Sequence, residues 1–167
     1  MKSLLIIRHA KSSRDPSGIG DYERTLEERG VRDAHAIGKY LRESSIRPDY
    51  LLSSPAVRAK QTAAIIAEEI GYPLDKIQAE ELLYEQSTSK IIVYSQNLQN
   101  CYSMVMIVGH NPSALELVND LGNQPFGQIP SCGVVCLDFQ VENWTEIDYG
   151  KGQVRFFISP DMLRENR

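Results

Sequence analysis

The sequence predicts a single α/β domain of three layers, in which helices cover both faces of a mostly parallel central sheet. Short apolar runs typical of buried strands alternate along the chain with segments whose apolar residues recur at helical spacing. With 167 residues, of which 42% are hydrophobic and 24% charged, the chain has the size and composition of a soluble globular domain. We therefore expect residues 1–167 to form one domain.

The first part of the chain predicts a strand, a polar loop and a helix. Residues 4–7 are a continuous apolar run, typical of a strand buried on both faces, and residues 15–18 are polar and turn-forming. Thr25 and Glu28 have the spacing of a capping box, which predicts that a helix begins at Thr25. The apolar stripe expected on that helix consists of Val31, Ala34, Ile37 and Leu41.

The middle of the chain repeats this pattern of strand followed by helix. Ser54-Pro55 offers an N-cap and a first-turn proline, and Gly71 offers a helix end. Further strands are expected over residues 49–53, 74–79 and 104–108. Further helices are expected over residues 55–70, from 88 or 89 to about 98, and over residues 113–121.

From Gly133 onward the pattern changes to strands. The strands expected there cover residues 134–139, 144–149 and 154–158. We expect them to form antiparallel pairs, with Gly150-Lys151-Gly152 as a hairpin turn.

Charge and apolar profile exclude several classes of function. Eighteen basic and 22 acidic residues give a net charge of −4, which argues against nonspecific nucleic-acid binding as the main task. Neither a membrane span of ~18–20 apolar residues nor a secretory signal is recognisable. We therefore expect no nucleic-acid or membrane partner and a cytoplasmic location. The three cysteines lack metal-ligand spacing, which predicts reduced thiols and no metal centre.

Reactive side chains follow three of the predicted strands, at the point where each strand ends. Arg8-His9 comes directly after the first strand, Arg58 lies one turn into the helix after the second, and His110-Asn111 follows the strand over residues 104–108. Ligands of open α/β sheets bind at the carboxyl ends of the strands, so these side chains should converge. A lone histidine or arginine is usually a loop or surface group, but two of each at one rim indicate a site.

The residue types at this rim suit a phosphate group. Guanidinium groups provide planar forks that match phosphate oxygens, and N–H groups at the helix starts after Ser54 and Asn111 add donors. A neutral imidazole among such cations has a lowered pKa, which leaves a ring nitrogen free to attack phosphorus. The arginines and His110 can stabilise the charge that develops on the equatorial oxygens in the transition state.

Three motifs in this order resemble those of the histidine phosphatase superfamily, which includes the cofactor-dependent phosphoglycerate mutases. Arg8-His9-Ala10-Lys11-Ser12 resembles its arginine–histidine–glycine signature, with alanine in place of glycine. Ser53-Ser54-Pro55 with Arg58 resembles its second arginine motif, and Val108-Gly109-His110-Asn111 its second histidine motif. The resemblance implies a phosphoglycerate mutase-like fold, a phosphohistidine intermediate on His9 and no metal or cofactor. The substrate-binding residues that it implies are Arg8, Ser12, Asp21, Arg58, His110 and Asn111.

The short chain and the Arg-His-Ala-Lys-Ser variant are most similar to the SixA-type phosphohistidine phosphatases, which lack the helical cap insertion of larger relatives. This similarity implies a phosphorylated protein, carrying phosphohistidine, as the substrate. Three alternatives remain open: a phosphomonoesterase for a small phosphorylated metabolite, a phosphoglycerate mutase-like enzyme, and a phosphate-binding or interaction module without turnover. The mutase is the weaker alternative, since the segment after Glu85 lacks the long cap expected to hold a bisphosphate.

The general acid is the least determined part of this hypothesis. Mutase-like relatives carry a leucine-x-glutamate motif after the third strand, and Leu83-Tyr84-Glu85 resembles it. The resemblance thus implies Glu85 as the acid, while Glu81 and Asp21 are alternatives.

Overall fold

The computed structural model describes residues 1–14 and 20–165, and its six strands form one sheet. The strands are β1 (Lys2–Arg8), β2 (Tyr50–Ser53), β3 (Gln78–Ala79), β4 (Met104–Gly109), β5 (Val134–Phe139) and β6 (Gln153–Ile158). The helices are α1 (Glu28–Glu43), α2 (Val57–Ile70), α3 (Glu81–Glu85), α4 (Thr88–Gln96), α5 (Ser113–Leu121) and α6 (Pro160–Glu165). The polar loop predicted over residues 15–18 lies outside the described residues.

The strand order across the sheet is β3-β2-β4-β1-β5-β6. The pairs β1–β4, β2–β3 and β2–β4 are parallel. Strand β5 runs antiparallel to β1, and β6 runs antiparallel to β5. The predicted mostly parallel sheet with antiparallel last strands is therefore confirmed. Because β1, β2 and β4 are adjacent and parallel, their carboxyl ends meet at one edge of the sheet.

Two hydrophobic cores, one on each face, give the predicted three layers. Successive residues of β1 point to opposite faces, so Leu5 and Ile7 pack with α1 and α2, whereas Leu4 and Ile6 pack with α3, α4 and α5. All four side chains are buried, as are most of those in β4 and β5. A strand end held this firmly is a rigid support for the residues that follow it.

Helix α1 begins later than its capping signal predicts. Its N-cap is Glu27, which makes no side-chain cap bond, and the first helical residue is Glu28. Thr25 instead accepts a hydrogen bond from the Ser13 N–H on its carbonyl oxygen, at 2.9 Å, beside a bridge between Ser12 and Leu26. This backbone pairing holds Thr25 extended, so the predicted start was wrong. Val31 was also wrongly predicted as part of the apolar stripe, because it is 37% exposed whereas Ala34, Ile37 and Leu41 are buried.

Helix α2 begins at Val57 rather than at the predicted Ser54-Pro55 pair, and its N-cap is Ala56. The Ser54 hydroxyl still accepts the Ala56 N–H, at 3.2 Å, so it restrains the turn before the helix. The predicted end is confirmed, because Gly71 adopts a left-handed conformation with φ 78°.

The strand predicted over residues 144–149 was wrong. Trp144–Glu146 is a 3-10 turn started by an Asn143 capping box. Trp144 is fully buried, and its Nε1–H donates to the Tyr102 carbonyl at 2.9 Å. Because no strand directly precedes Gly150-Lys151-Gly152, this segment does not join two strands, and the predicted hairpin turn was wrong. Gly152 bridges Gly122 instead.

The segment over residues 74–79 is also only partly a strand, because Leu74–Lys76 is a 3-10 turn and β3 has just two residues. Within the part of the chain that the structure describes, no helix is long and apolar enough to cross a bilayer.

Candidate active site

His9 lies directly after β1, between the ends of β4 and β5. Its backbone N–H donates to the Gly109 carbonyl at 2.9 Å, and its ring Nδ1 lies 2.8 Å from the Ala10 carbonyl oxygen. A carbonyl oxygen can only accept, so Nδ1 carries the proton and Nε2 is unprotonated. The ring is 9% exposed. This is the tautomer that a nucleophilic Nε2 requires.

The environment of His9 keeps the imidazole neutral. Burial, together with the charges of Arg58 and Arg8, lowers its pKa to about 4, although the hydrogen bond to the Ala10 carbonyl acts in the opposite direction. The ring is therefore uncharged at neutral pH, as a nucleophile must be.

The backbone on both sides of His9 is held by its neighbours. The Cys132 N–H lies 3.0 Å from the Arg8 carbonyl oxygen and 3.1 Å from that of His9. The Ala10 N–H donates to Thr62 Oγ1 at 3.0 Å, and that hydroxyl donates to the Arg58 carbonyl at 2.8 Å. This chain of bonds couples the position of His9 to the first turns of α2.

Arg58 lies in the first turn of α2 and is 5% exposed. Its Nε donates to His9 Nε2 at 3.3 Å, and its Nη2 lies 3.3 Å from His110 Nδ1. Its two terminal nitrogens also donate to Asp21, Nη1 to the carbonyl oxygen at 2.6 Å and Nη2 to Oδ2 at 3.0 Å. One guanidinium group therefore joins the two histidines to a carboxylate.

His110 follows β4, and the centre of its ring lies 5.1 Å from that of His9. Arginine can only donate, so His110 Nδ1 accepts from Arg58, and Nε2–H donates to Ser54 Oγ at 2.8 Å. Burial, with the charges of His9 and Arg58, lowers its pKa to about 3. The ring is neutral without a ligand, and a phosphate anion beside it would favour its protonated, hydrogen-bond-donating form.

Arg8 and Asn111 line the part of the cavity next to Ile129. Both donate to the Ile129 carbonyl, Arg8 from Nη1 at 3.1 Å and Asn111 from Nδ2 at 3.0 Å. Arg8 Nε and Asn111 Oδ1 are buried without a hydrogen-bond partner among the described residues. Burial also lowers the pKa of Arg8. Such buried, unsatisfied groups are uncommon and are found where ligands bind.

Asp21 is the carboxylate that Arg58 joins to the two histidines. In addition to Arg58, its Oδ2 accepts the Tyr84 hydroxyl at 3.0 Å and its Oδ1 pairs with Arg24 at 2.9 Å. Burial raises the pKa of Asp21, but the hydrogen bonds from Tyr84 and Arg58 and the charges of Arg58 and Arg24 outweigh it, and the net shift is downward. Asp21 is therefore ionised at neutral pH.

Tyr84 is the site residue that the sequence reasoning missed. Its ring stands edge-on to His110, 5.7 Å between centres, and edge-on to Tyr22 at 5.2 Å. Tyr84 belongs to the motif Leu83-Tyr84-Glu85, but the sequence analysis predicted the glutamate of that motif as the site residue.

The structure brings the predicted residues together around one cavity of about 680 Å³. The predicted residues that line it are Arg8, His9, Ser12, Asp21, Arg58, His110 and Asn111. The charged residues in its wall are five cations (Arg8, Lys11, Arg14, Arg24 and Arg58) and two carboxylates (Asp21 and Glu27). This positive excess in a chain of net charge −4 suits an anion such as a phosphoryl group.

Glu85 and Glu81 are not among the residues that line this cavity. Both side chains lie on α3 and are exposed. The next residue, Gln86, lines the cavity instead, and its Oε1 accepts the Ser113 N–H at 3.3 Å. Of the three candidate acids, the structure brings Asp21 to the histidines.

Over residues 1–14 and 20–165, no group of three or more His, Cys, Asp or Glu side chains is placed to hold a metal ion. Metal independence stays a prediction.

Comparison with known protein families matches residues 4–91 to the histidine phosphatase superfamily (branch 1). An uncharacterized protein of Mycobacterium tuberculosis is 36% identical over 114 residues, 67% of this chain and 68% of that protein. A 2,3-bisphosphoglycerate-dependent phosphoglycerate mutase of Methylobacterium is 36% identical over 89 residues, 52% of this chain and 43% of the mutase.

Solved structures of similar fold include the protein histidine phosphatase SixA complexed with tungstate, with a TM-score of 0.84 and 20% identity, covering 96% of this chain and 99% of that one. The putative phosphohistidine phosphatase SixA from Agrobacterium tumefaciens has a TM-score of 0.75 and 26% identity, covering 95% and 98%. Fold and relatives together define a hydrolase of the histidine-type phosphatase kind. The chain belongs to branch 1 of the histidine phosphatase superfamily, and its fold is SixA-like.

Proposed function

We propose that this chain hydrolyses phosphohistidine in a protein substrate, through a covalent phosphohistidine intermediate on His9. The observation that carries the proposal is the unprotonated Nε2 of His9, whose electron pair accepts a hydrogen bond from Arg58 Nε at 3.3 Å in a ring kept neutral by burial. A phosphoryl group that binds Arg58 would lie within reach of this nitrogen.

In the first step, His9 Nε2 attacks phosphorus and the bond from phosphorus to the substrate imidazole breaks. The imidazole leaves with the electron pair of that bond and with its own proton, so it departs as neutral histidine. Arg8, Arg58 and His110 stabilise the equatorial oxygens. In the second step, a water oxygen attacks phosphorus, the bond to His9 Nε2 breaks, and inorganic phosphate leaves with the proton lost by the water.

The state of Asp21 supports a substrate whose leaving group needs no proton from the enzyme. An alkoxide leaving group is strongly basic and requires a general acid, whereas a protonated imidazole is already a good leaving group. Asp21 is ionised through its contacts with Tyr84 and Arg58, and both Glu81 and Glu85 are exposed outside the cavity. The site is therefore better suited to phosphohistidine than to a sugar or glycerate phosphate.

The shape of the site is compatible with a protein-sized substrate. Between β3 and β4 the chain forms only α3 and α4, of five and nine residues, in agreement with the expected lack of a cap insertion. Relatives with similar folds are described as phosphohistidine phosphatases, which supports the same substrate class here.

A small phosphorylated metabolite is the second candidate substrate. The cavity of about 680 Å³ is large enough for a drug-sized molecule. A putative alpha-ribazole-5'-P phosphatase of Escherichia coli also has this fold, with a TM-score of 0.72 and 16% identity, covering 96% of this chain and 98% of that one.

A substrate panel tests the proposal. We expect kcat/KM on a phosphohistidine peptide to exceed that on an alkyl phosphate by ~10²-fold or more, the scale of a missing general acid. An aryl phosphate should also turn over. Preference for the alkyl phosphate would reject phosphohistidine as the substrate, and no turnover of any of the three would favour a binding module.

The matched control for the panel is a second histidine variant. His9→Ala should abolish turnover, while His35→Ala, which changes an exposed residue of α1 beside Glu69, should retain it.

A further inference from the structure

Three adjoining cavities lead away from His9 along one side of the molecule. The catalytic cavity and a second one of about 170 Å³ share Lys11 and Ser131 in their walls. The second and a third one of about 280 Å³ share Arg29, Asp33, Pro160 and Arg164. Together the second and third cavities form a continuous depression, here called the basic groove, whose walls include Lys11, Arg29, Arg32, Ser131, Pro160 and Arg164.

The walls of the basic groove are fixed in place. One wall is α1 and the other is α6, which is tied to α1 by the contact of Arg164 Nη1 with Asp33 Oδ1 at 2.7 Å. At the catalytic end, Ser131 precedes Cys132, whose N–H holds the Arg8 and His9 carbonyls. The end of the groove is therefore attached to the backbone that positions His9.

The charge of the basic groove is positive although the whole chain carries −4. Four cations line it (Lys11, Arg29, Arg32 and Arg164) against two carboxylates (Asp33 and Asp161). Arg29 and Arg164 each pair with both carboxylates, so these four charges balance. The net positive charge comes from Lys11 and Arg32, which are exposed and form no ion pair with a described residue. The groove therefore continues the positive wall of the catalytic cavity.

We propose that the basic groove binds an acidic chain segment next to the phosphorylated residue of a protein substrate; this inference rests on the proposed function. The groove begins at Lys11 and Ser131 in the wall of the catalytic cavity and continues away from it, as a surface for a flanking chain segment must. Its mixture of cations with serine, proline and two carboxylates suits the varied side chains of a peptide better than a uniformly charged polymer. Electrostatic complementarity of this kind selects the partner and speeds its association.

Peptide binding tests the groove independently of turnover. Two labelled peptides with the same central phosphohistidine, one with Asp/Glu flanks and one with uncharged flanks, are titrated into His9→Ala protein at low salt. We expect the acidic flanks to tighten binding about ten-fold and the difference to shrink as salt rises, as for exposed charges. In the His9→Ala/Arg32→Glu double variant, most of the difference should disappear.

The matched control is His9→Ala/Arg47→Glu, which reverses an exposed arginine that lines a separate cavity with Gly71 and Lys76. It should retain the preference for acidic flanks. The circular-dichroism spectrum and the thermal unfolding midpoint of His9→Ala/Arg32→Glu should match those of His9→Ala, which shows that the fold survives.

The outcomes separate the groove from the proposed function. Equal binding of the two peptides, or an unchanged preference in the Arg32→Glu variant, overturns the groove. A polyphosphate of equal charge that binds more tightly than the acidic peptide overturns it also. Failure of wild-type protein to hydrolyse the uncharged-flank phosphohistidine peptide, while it hydrolyses aryl phosphate, overturns the proposed function and leaves the binding result standing.

Discussion

Arg58 and Asp21 are joined at two points, because Arg58 Nη1 donates to the Asp21 carbonyl at 2.6 Å and Nη2 donates to its carboxylate at 3.0 Å. Both terminal nitrogens of Arg58, which form the fork that a phosphoryl group needs, thus bond to Asp21, one to its backbone carbonyl and one to its carboxylate. A phosphoryl group that binds Arg58 bidentately has to replace Asp21 there or share the donors with it. Asp21 therefore sets how tightly the site holds an oxyanion.

Asp21→Asn should bind oxyanions more tightly than the wild type. Loss of the competing negative charge is expected to lower the inhibition constants of inorganic phosphate and vanadate by about ten-fold, or ~1.4 kcal/mol. Glu27→Gln is the matched control, since it removes a charge from the same cavity without a contact to Arg58. Equal effects of the two variants would mean that Asp21 acts through net charge alone.

Tyr84→Phe should raise the pKa of Asp21. The Tyr84 hydroxyl donates to Asp21 Oδ2, and its loss removes one cause of the lowered pKa of Asp21. A carbon-13 NMR titration of the Asp21 carboxylate measures this rise. Glu85→Gln, on the exposed neighbouring residue, should leave the Asp21 titration unchanged. An unchanged Asp21 titration in Tyr84→Phe would contradict the contact.

Arg58→Lys separates geometry from charge. Lysine keeps the positive charge but not the planar fork that reaches His9, His110 and Asp21. We expect kcat/KM to fall by ~10²-fold or more, on the order of 3 kcal/mol of transition-state stabilisation. Arg42→Lys, on the exposed end of α1, is the control and should keep full efficiency. Wild-type efficiency in Arg58→Lys would show that only a positive field is needed.

Acid should destabilise the folded protein through its two buried histidines. The pKa values of His9 and His110 are lowered to about 4 and about 3, so below pH 6.5 the unfolded chain binds protons that the folded rings do not. The free energy of unfolding should therefore fall as the pH drops from 6.5 toward 4, by up to ~1.4 kcal/mol per unit for each ring. Denaturant unfolding at pH 7, 6 and 5 measures the slope. His9→Gln should reduce it, and an equal slope would contradict the buried neutral ring.

The sequence predicted those parts of the site that follow from the order of strands and helices along the chain. His9, Arg58 and His110 each follow a strand, and the carboxyl ends of adjacent parallel strands meet at one edge of the sheet whatever the loops between them. The bond between Arg58 and Asp21 could not be predicted, because it depends on how the segment before α1 folds across the sheet. The same tertiary pairing between Ser12 and Leu26 displaced the start of α1 from the capping signal at Thr25.

Two further differences between the predicted and the observed structure also have local causes. Adjacent residues of a helix point about 100° apart, so on α3 Tyr84 can face Asp21 while Glu85 faces solvent. The motif predicts that Tyr84 and Glu85 lie near the site, but the orientation of α3 about its own axis determines which of these side chains reaches it. Trp144 and Ile147 are both buried, and residues three apart lie on one face of a 3-10 turn, whereas in the predicted strand they would point to opposite faces.

The central claim is that His9 carries the phosphoryl group, and trapping the phosphoenzyme tests it most directly. Protein quenched within milliseconds of mixing with a radiolabelled phosphohistidine peptide should retain one label that is labile to acid and stable to alkali, as a phosphoramidate is. His9→Ala should show no label and lose at least ~10³-fold in rate, while His35→Ala should label like the wild type. An acid-stable label, or a label that persists in His9→Ala, would contradict the account.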